Sequence, residues 1–275
     1  MDERLQRRVQ RYGWDKAADH YEPYWRKQLE PAQRLMLEMA GIRPGDHVID
    51  IACGTGLTTF PAADAAGRNG RVLGTDISDR MVEAASSRAA SNGVAHAEFA
   101  RMDAESLDVP DHSFDVALCG LGLMYAPFPS VAVSEMFRVL KAGGRASAAV
   151  WGRRDKCGWA EIFPIVDARV STEVCPMFFQ LGSGEVLSAV FNEAGFTDVR
   201  SERISVELHY ETDDDACGAA FVGGPVALAY SRFDESTRKE AFEEYLASIR
   251  PYQDGDGYKI PGEFVVVSGH RDNDS

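Results

Sequence analysis

Residues 46–56 read Asp-His-Val-Ile-Asp-Ile-Ala-Cys-Gly-Thr-Gly. Val48, Ile49 and Ile51 make a short, β-branched apolar run that stops in a turn with two glycines. A run of this kind, bounded by turn signals, reads as a strand buried on both faces. Residues 57–66 suit a helix. A strand, a glycine turn and a helix form a nucleotide cradle. Glycine lets backbone approach a ligand, and the helix N-terminus offers free N–H groups.

The alternation continues downstream. Strands are expected at 71–75, 96–101, 114–119 and 145–151, and helices at 79–91 and 131–140. Ser78 is a natural N-cap, Asn92-Gly93 a natural stop, and Lys141–Gly144 a second stop. This order predicts a mostly parallel sheet with helices on both faces. Ligands on such sheets sit at the carboxyl ends of the strands. Asp50, Asp76, Asp103 and Cys119 all fall at those ends.

Residues 1–30 read as one or two helices, and 31–41 as another, starting at Pro31 and ending at Gly41. The aromatics Tyr12, Trp14, Tyr21, Tyr24 and Trp25 either pack this segment down or close over a ligand. After residue 152 the alternation breaks. A helix at 185–194, a strand at 198–210, an amphipathic helix at 235–249 and a strand at 263–270 are expected, with a frayed tail at 271–275. The chain divides into a helical cap (1–30), a nucleotide-binding core (31–152) and a sheet-completing part (153–275), with 153–182 and 212–259 inserted as a cover.

The 275 residues carry a net charge of −14. That is unsuited to a nucleic-acid backbone, whose nonspecific affinity comes from Lys and Arg, so a small-molecule partner is expected. The charged N-terminus lacks the apolar core of a signal peptide, and no window reaches the roughly 18 apolar residues of a membrane span. Five cysteines without paired spacing fit a cytoplasmic chain with free thiols. A monomer or homodimer is expected.

The glycine turn alone does not choose the nucleotide. A dinucleotide fingerprint places a third glycine where this chain has Thr59. Asp76, 20 residues beyond Gly56, can accept from ribose hydroxyls of any nucleoside. Asp50, ahead of the glycine turn, would repel a pyrophosphate but suits a cationic ligand. Asp103 can accept from an adenine amino group. A ligand with adenine, ribose and a positively charged amino-acid tail fits this set better than a dinucleotide.

Asp50-Ile-Ala-Cys-Gly-Thr-Gly resembles the first motif of the class I S-adenosylmethionine-dependent methyltransferases. Asp76-Ile-Ser and Met102-Asp103-Ala104-Glu105 resemble their second and third cofactor motifs. Phe114-Asp115-Val116 and Arg138-Val139-Leu140-Lys141-Ala142-Gly143-Gly144 match later signatures, and Ala194-Gly195-Phe196 and Phe264-Val265-Val266-Val267 look like the last helix–strand units. The chain is similar to the branch of the ubiquinone/menaquinone-biosynthesis (UbiE-like) methyltransferases. It departs at Ala52, where many members have glycine.

The resemblance implies a Rossmann-like, seven-stranded, mostly parallel α/β sheet with its last strand antiparallel and a helical cover between late strands. It implies S-adenosylmethionine as cofactor. Gly54 and Gly56 would bring the backbone against its methionine part, and Asp76 would hold the ribose; Asp50, Ala52 and Cys53 are counted in the same cofactor-binding set, Ala52 being small enough to permit close approach. Ile77 and Met81 would border the adenine, although Met81 reads equally as core. Asp103 with Ala104 would bind the adenine amino edge, Cys119 and Leu121 would line the methionine side, and Met102 is counted in the same cofactor-binding set. Tyr21 matches a tyrosine that covers the cofactor. Cys53 and Cys119 read first as small buried hydrophobes.

Methyl transfer from a sulfonium is a displacement that depends on alignment and on water exclusion. A base is needed only for a protonated acceptor. His20, Tyr24, Tyr125, His209 and Tyr230 are the available candidates, and no catalytic residue is assigned. Tyr24, Trp25, Tyr125 and Trp159 are the substrate-facing candidates. The aromatic cover points to an aromatic or quinone-like acceptor, methylated at carbon or oxygen. The alternatives are arsenite or thiol methylation using Cys157, Cys175 and Cys217, and a cofactor-binding protein without turnover. No metal motif is present; Asp213-Asp214-Asp215 reads as a solvated charge run.

Overall fold

The computed structural model describes residues 3–170, 175 and 177–272. Residues 171–174 and 176 of the expected cover, and 273–275 of the expected tail, lie outside the described residues.

Strand β1 (His47–Ile51) forms where the apolar run predicts it, with Val48, Ile49 and Ile51 fully buried. Helix α2 (Thr59–Ala66), β2 (Arg71–Asp76), α3 (Asp79–Asn92), β3 (Ala97–Arg101) and β4 (Phe114–Gly120) follow. Then come α4 (Pro129–Val139), β5 (Leu140–Trp151), α5 (Ile162–Asp167), α6 (Val186–Glu193) and β6 (Thr197–Tyr210). The chain ends with α7 (Asp213–Phe221), α8 (Ala227–Tyr230), α9 (Glu235–Ile249), the two-residue β7 (Gln253–Asp254) and β8 (Gly257–His270).

The strands lie in the order β3-β2-β1-β4-β5-β8-β6, with β7 paired to β8. Strands β1 to β5 are mutually parallel, and β8 runs antiparallel between β5 and β6. The Rossmann-like expectation holds, with β7 as a short addition. From β1 the chain steps outward to β2 and β3, then returns to β4 on the other side of β1. The switch point lies between β1 and β4, where a ligand crevice opens in such sheets. Helices α4 and α6 pack on each other beside β4, β5, β6 and β8, and α2 and α3 lie against β1 to β3.

The largest departure is at the N-terminus. Instead of separate helices divided at Pro31, a single helix, α1 (Glu3–Ala40), runs through both Pro23 and Pro31. Each proline removes one backbone hydrogen bond from the ladder. Burial of Trp25, Leu29, Ala32 and Met36 against the sheet offsets that loss. The polar flank of α1 is tied to α3. Asp15 accepts from Ser78 Oγ (2.6 Å) and the Arg80 amide (3.2 Å), and Arg88 pairs with Glu22 (3.0 Å).

Lys141–Gly144 is also different from expectation. The strand already begins at Leu140, which pairs with Phe114, and a register shift follows before Val116 meets Arg145. Gly143 at φ +74° forms this irregularity, and its N–H donates to the Arg271 carbonyl at 2.9 Å.

Helices α5, α7, α8 and α9 form the cover, packed on α1 and on one another. Asp213, Asp214 and Asp215 lie in the first turn of α7, capped by Thr212. Negative charge is favourable at that end of a helix, which accounts for the acidic run without a metal. Among the described residues, no helix is long and apolar enough to cross a membrane.

Candidate functional site

A cavity with about 730 Å³ of empty space, partly open to solvent, lies over the carboxyl ends of β1, β2, β3 and β4. Three polypeptide corners build its floor. The first is Ala52 and Gly54 after β1. The second is Asp76 and Ile77 after β2, with Met81 from α3. The third is Gly120, Leu121 and Gly122 after β4. Met102, Asp103 and Ala104 close one side, and Arg7, Gln10, Trp14 and Tyr21 of α1 form the roof.

The floor holds backbone in conformations that L side chains avoid. Gly54 (φ +55°) and Gly56 (φ +86°) turn the chain from β1 towards α2. A Cβ on Gly56 would stand 2.6 Å from the Phe60 ring, so packing as well as φ requires glycine there. Ala52 (φ +55°) and Leu121 (φ +64°) take left-handed conformations without being glycine. Both line the cavity, and strained backbone of this kind concentrates at functional sites.

Asp76 lies at the cavity wall with both carboxylate oxygens engaged by backbone. The Gly54 N–H donates to Oδ2 and the Ser78 N–H to Oδ1, each at 2.9 Å. A carboxylate has about four acceptor positions, so it can still receive ribose hydroxyls. Burial pushes its pKa up to about 6, and backbone hydrogen bonds oppose that rise. Asp50 sits behind the wall. It accepts from Thr59 Oγ1 at 2.6 Å, and its other oxygen is buried with no partner. Burial, moderated by the Thr59 hydrogen bond and reinforced by the Asp76 charge, pushes Asp50 up to about 7. Two buried carboxylates with unused acceptor capacity fit a ligand carrying donors and positive charge.

Asp103 Oδ1 accepts from the Glu105 N–H at 3.0 Å, and Oδ2 faces Arg7 Nε at 2.9 Å. Arg7 also pairs with Glu105, which accepts from the Phe128 N–H. The third motif is thereby fastened to the roof of the cavity.

Of the sequence-predicted cofactor set, Tyr21, Ala52, Gly54, Asp76, Ile77, Met81, Met102, Asp103, Ala104 and Leu121 line the cavity. Asp50, Cys53, Gly56 and Cys119 are not part of its lining, and Asp50, Cys53 and Cys119 are buried. Cys119 is fully buried, and burial pushes its thiol up to about 12, in keeping with a small packed hydrophobe. Arg7 and Gln10 were not foreseen. With Trp14 and Tyr21 they fall at 7, 10, 14 and 21, the spacing of one helical face, which is the signal that marks them.

A second cavity, with about 350 Å³ of empty space, adjoins the first. Trp14, Tyr21, Leu121 and Tyr125 line both. The rest of its wall is Trp25, Leu29, Trp151, Trp159, Phe178, Gly224 and Pro225, with no charged side chain. The structure therefore brings Trp25, Tyr125 and Trp159 together. It does not bring in Tyr24, whose ring packs against Gly218 and Gly223 beside a polar surface groove. Tyr24 points from α1 towards α7, where the absence of side chains at those glycines makes room for it. Of the base candidates, only Tyr125 reaches either cavity. His20 and His209 are exposed, and Tyr230 packs on Phe221 at 4.8 Å between ring centroids. Burial pushes the Tyr125 phenol well above its ordinary value.

The three soft sulfurs do not assemble. Cys157 is buried beside the Glu263 carbonyl, Cys217 lies within α7, and Cys175 receives the Gln10 amide at 3.6 Å. No group of three His, Cys, Asp or Glu side chains able to hold a metal exists among the described residues.

Residues 48–144 match the sequence model described as a methyltransferase domain. These residues form a methyltransferase domain. The domain is similar to that of the ubiquinone/menaquinone biosynthesis C-methyltransferase UbiE of Ectopseudomonas mendocina. The two are 41% identical over 114 residues, which is 41% of this chain and 44% of that one. The UbiE of Azotobacter vinelandii is 40% identical over 114 residues, covering 41% of this chain and 45% of its own. The match thus spans less than half the length of either relative. In fold, the domain and its cover are similar to the YcgJ protein of Bacillus subtilis, with a TM-score of 0.61 at 20% identity over 89% of this chain and all of that one. They are also similar to phosphoethanolamine N-methyltransferase 2 of Haemonchus contortus bound to S-adenosyl-L-methionine, with a TM-score of 0.62 at 16% identity, covering 94% of this chain and 57% of that one. These structures share the fold.

Proposed function

We propose that the protein transfers the methyl group of S-adenosylmethionine to a small, neutral aromatic or quinone-like acceptor, at carbon or oxygen. One observation carries this reading. The cavity built by the cofactor motifs shares a wall of Trp14, Tyr21, Leu121 and Tyr125 with an uncharged aromatic cavity.

In this reading Asp76 receives the ribose hydroxyls, while Ile77 and Met81 flank the adenine. Asp103 and Ala104 take its amino edge. Gly54 and Leu121 bound the methionine part, with Asp50 contributing charge from behind. When bound, S-adenosylmethionine supplies an electrophilic methyl carried by a sulfonium. The chain's contribution is alignment and exclusion of water. Tyr21 and Trp14, 5.6 Å apart edge to face, close the roof, and Trp14 packs in the same way on Tyr125 at 5.1 Å. No Asp, Glu, His or Lys lines the second cavity, so the acceptor brings its own nucleophilicity, as an electron-rich ring does. The names of the UbiE relatives agree with a quinone-type acceptor. Arsenite methylation is disfavoured because the cysteines do not converge.

The test is a screen with isotopically labelled methyl donor against phenols, quinols, amines, thiols and arsenite. Label should enter phenols or quinols. Transfer to arsenite or amines alone would overturn the acceptor class.

A further inference from the structure

Trp159 is the centre of the aromatic cluster that walls the second cavity. Its ring lies 4.7 Å from Trp151, 5.7 Å from Phe178 and from Phe179, 5.9 Å from Phe163 and 6.2 Å from Trp25. Five neighbours fix the indole plane, and the side chain is 4% exposed. Yet its Nε1–H is buried with no hydrogen-bond partner. Buried tryptophan N–H groups ordinarily find an acceptor, and the exceptions call for an explanation. Here the orphan donor belongs to a residue lining a cavity without a charged side chain. The other side-chain hydrogen-bonding groups on that wall are the hydroxyls of Tyr21 and Tyr125 and the indole N–H groups of Trp14, Trp25 and Trp151; of all these, only the Trp159 N–H is both buried and without a partner.

We propose that the Trp159 indole N–H positions the methyl acceptor by donating to an oxygen on its ring, a carbonyl or a hydroxyl. This deepens the methyl-transfer reading and rests on it. Recognition then has two parts. The aromatic walls select a flat ring, and the one buried, unpartnered donor selects a ring oxygen and sets the ring's orientation relative to the cofactor cavity behind Tyr21 and Tyr125. A hydrocarbon of the same shape leaves the N–H unpaired, which is the situation in which a polar site discriminates most strongly. A charged ligand finds no counter-charge on the wall. Trp159 is a positioning residue and takes no part in bond making.

The test uses 1-indanone and indane, flat rings of one shape that differ by a carbonyl oxygen, added to the full chain saturated with S-adenosylhomocysteine. Binding is measured by calorimetry, and the Trp159 indole Nε1–H resonance by NMR in ¹⁵N-labelled protein. Indanone should bind at least about fivefold more tightly than indane, the ratio expected for one hydrogen bond. It should move the Trp159 resonance downfield, whereas indane should not. Trp159→Phe should bring the two affinities together. The wild-type resonance, assigned through its own spin system, keeps the test independent of whether the variant folds. Equal binding of the two probes, no binding of either, or an unmoved resonance would overturn the proposal. Failure of S-adenosylhomocysteine to bind would overturn the methyl-transfer reading itself.

Discussion

Arg7, in the second turn of α1, reaches Asp103 beyond the end of β3, with 2.9 Å between Nε and Oδ2. The same guanidinium pairs with Glu105. The roof of the cavity is therefore latched to the motif expected to take the adenine edge. Asp103 retains acceptor positions for an amino group, so the latch and a bound adenine are compatible. Arg7→Ala should speed cofactor release by about two- to tenfold while changing association little, because a half-exposed ion-pair network contributes only about 0.5–1.5 kcal/mol. Stopped-flow displacement of S-adenosylhomocysteine measures this. An unchanged release rate would show that the roof opens without breaking the latch.

Cofactor affinity should rise with pH. Asp76 and Asp50 are pushed up to about 6 and about 7 by burial. A cationic ligand that accepts nothing from them favours their ionised forms. S-adenosylmethionine should bind most weakly near pH 5 and progressively better to about pH 8. Asp50→Asn should flatten the upper part of that profile. A flat wild-type profile across pH 5–8 would separate these carboxylates from binding.

The same carboxylates should make the ligand-free protein less stable as pH rises. Between about pH 4 and their raised folded values, the folded chain holds protons that the unfolded chain has released. Each such proton costs about 1.4 kcal/mol of stability per pH unit. The stability is present below about pH 4 and is lost as pH climbs through about 6 and 7. Asp50→Asn keeps an acceptor for Thr59 but carries no charge, so it should raise the apo unfolding midpoint at pH 8 while weakening cofactor binding. Denaturant unfolding at pH 5 and pH 8 checks both arms. A destabilised Asn variant at pH 8 would contradict the desolvation argument.

Ala52 is held at φ +55°. Ala52→Gly should remove a left-handed penalty of about 1–2 kcal/mol, against roughly 0.5–1 kcal/mol of added chain entropy. The net gain should be up to about 1 kcal/mol, or about 1–4 °C in Tm for a chain of this size, with cofactor affinity preserved. Calorimetric melting reads it. A lower Tm would mean that the Ala52 methyl, packed towards Gly122, matters more than its backbone strain.

The β1–α2–β2–α3–β3–β4 order and the ten cavity-lining residues of the cofactor set were legible in the sequence. The β-branched run of β1, the Ser78 cap and the acidic strand ends are local signals. The continuity of α1 was not legible, because Pro31 reads locally as the start of a new helix, and burial of Trp25, Leu29 and Met36 overrides that signal. Arg7 and Gln10 were missed for the same reason: their role exists only once a long helix carries them over the sheet. The meeting of Trp25, Trp159 and Phe178 in one wall joins α1 to an insertion more than 100 residues away, and no local pattern reports such a contact.

The most direct test of the central claim is calorimetric titration of the full chain with S-adenosylhomocysteine, beside Asp76→Ala and beside NAD. The account predicts binding of S-adenosylhomocysteine, weakening by more than about tenfold in the variant through loss of a charge-assisted ribose contact, and no binding of NAD. Equal affinity of wild type and Asp76→Ala, or binding of NAD in place of S-adenosylhomocysteine, would contradict it.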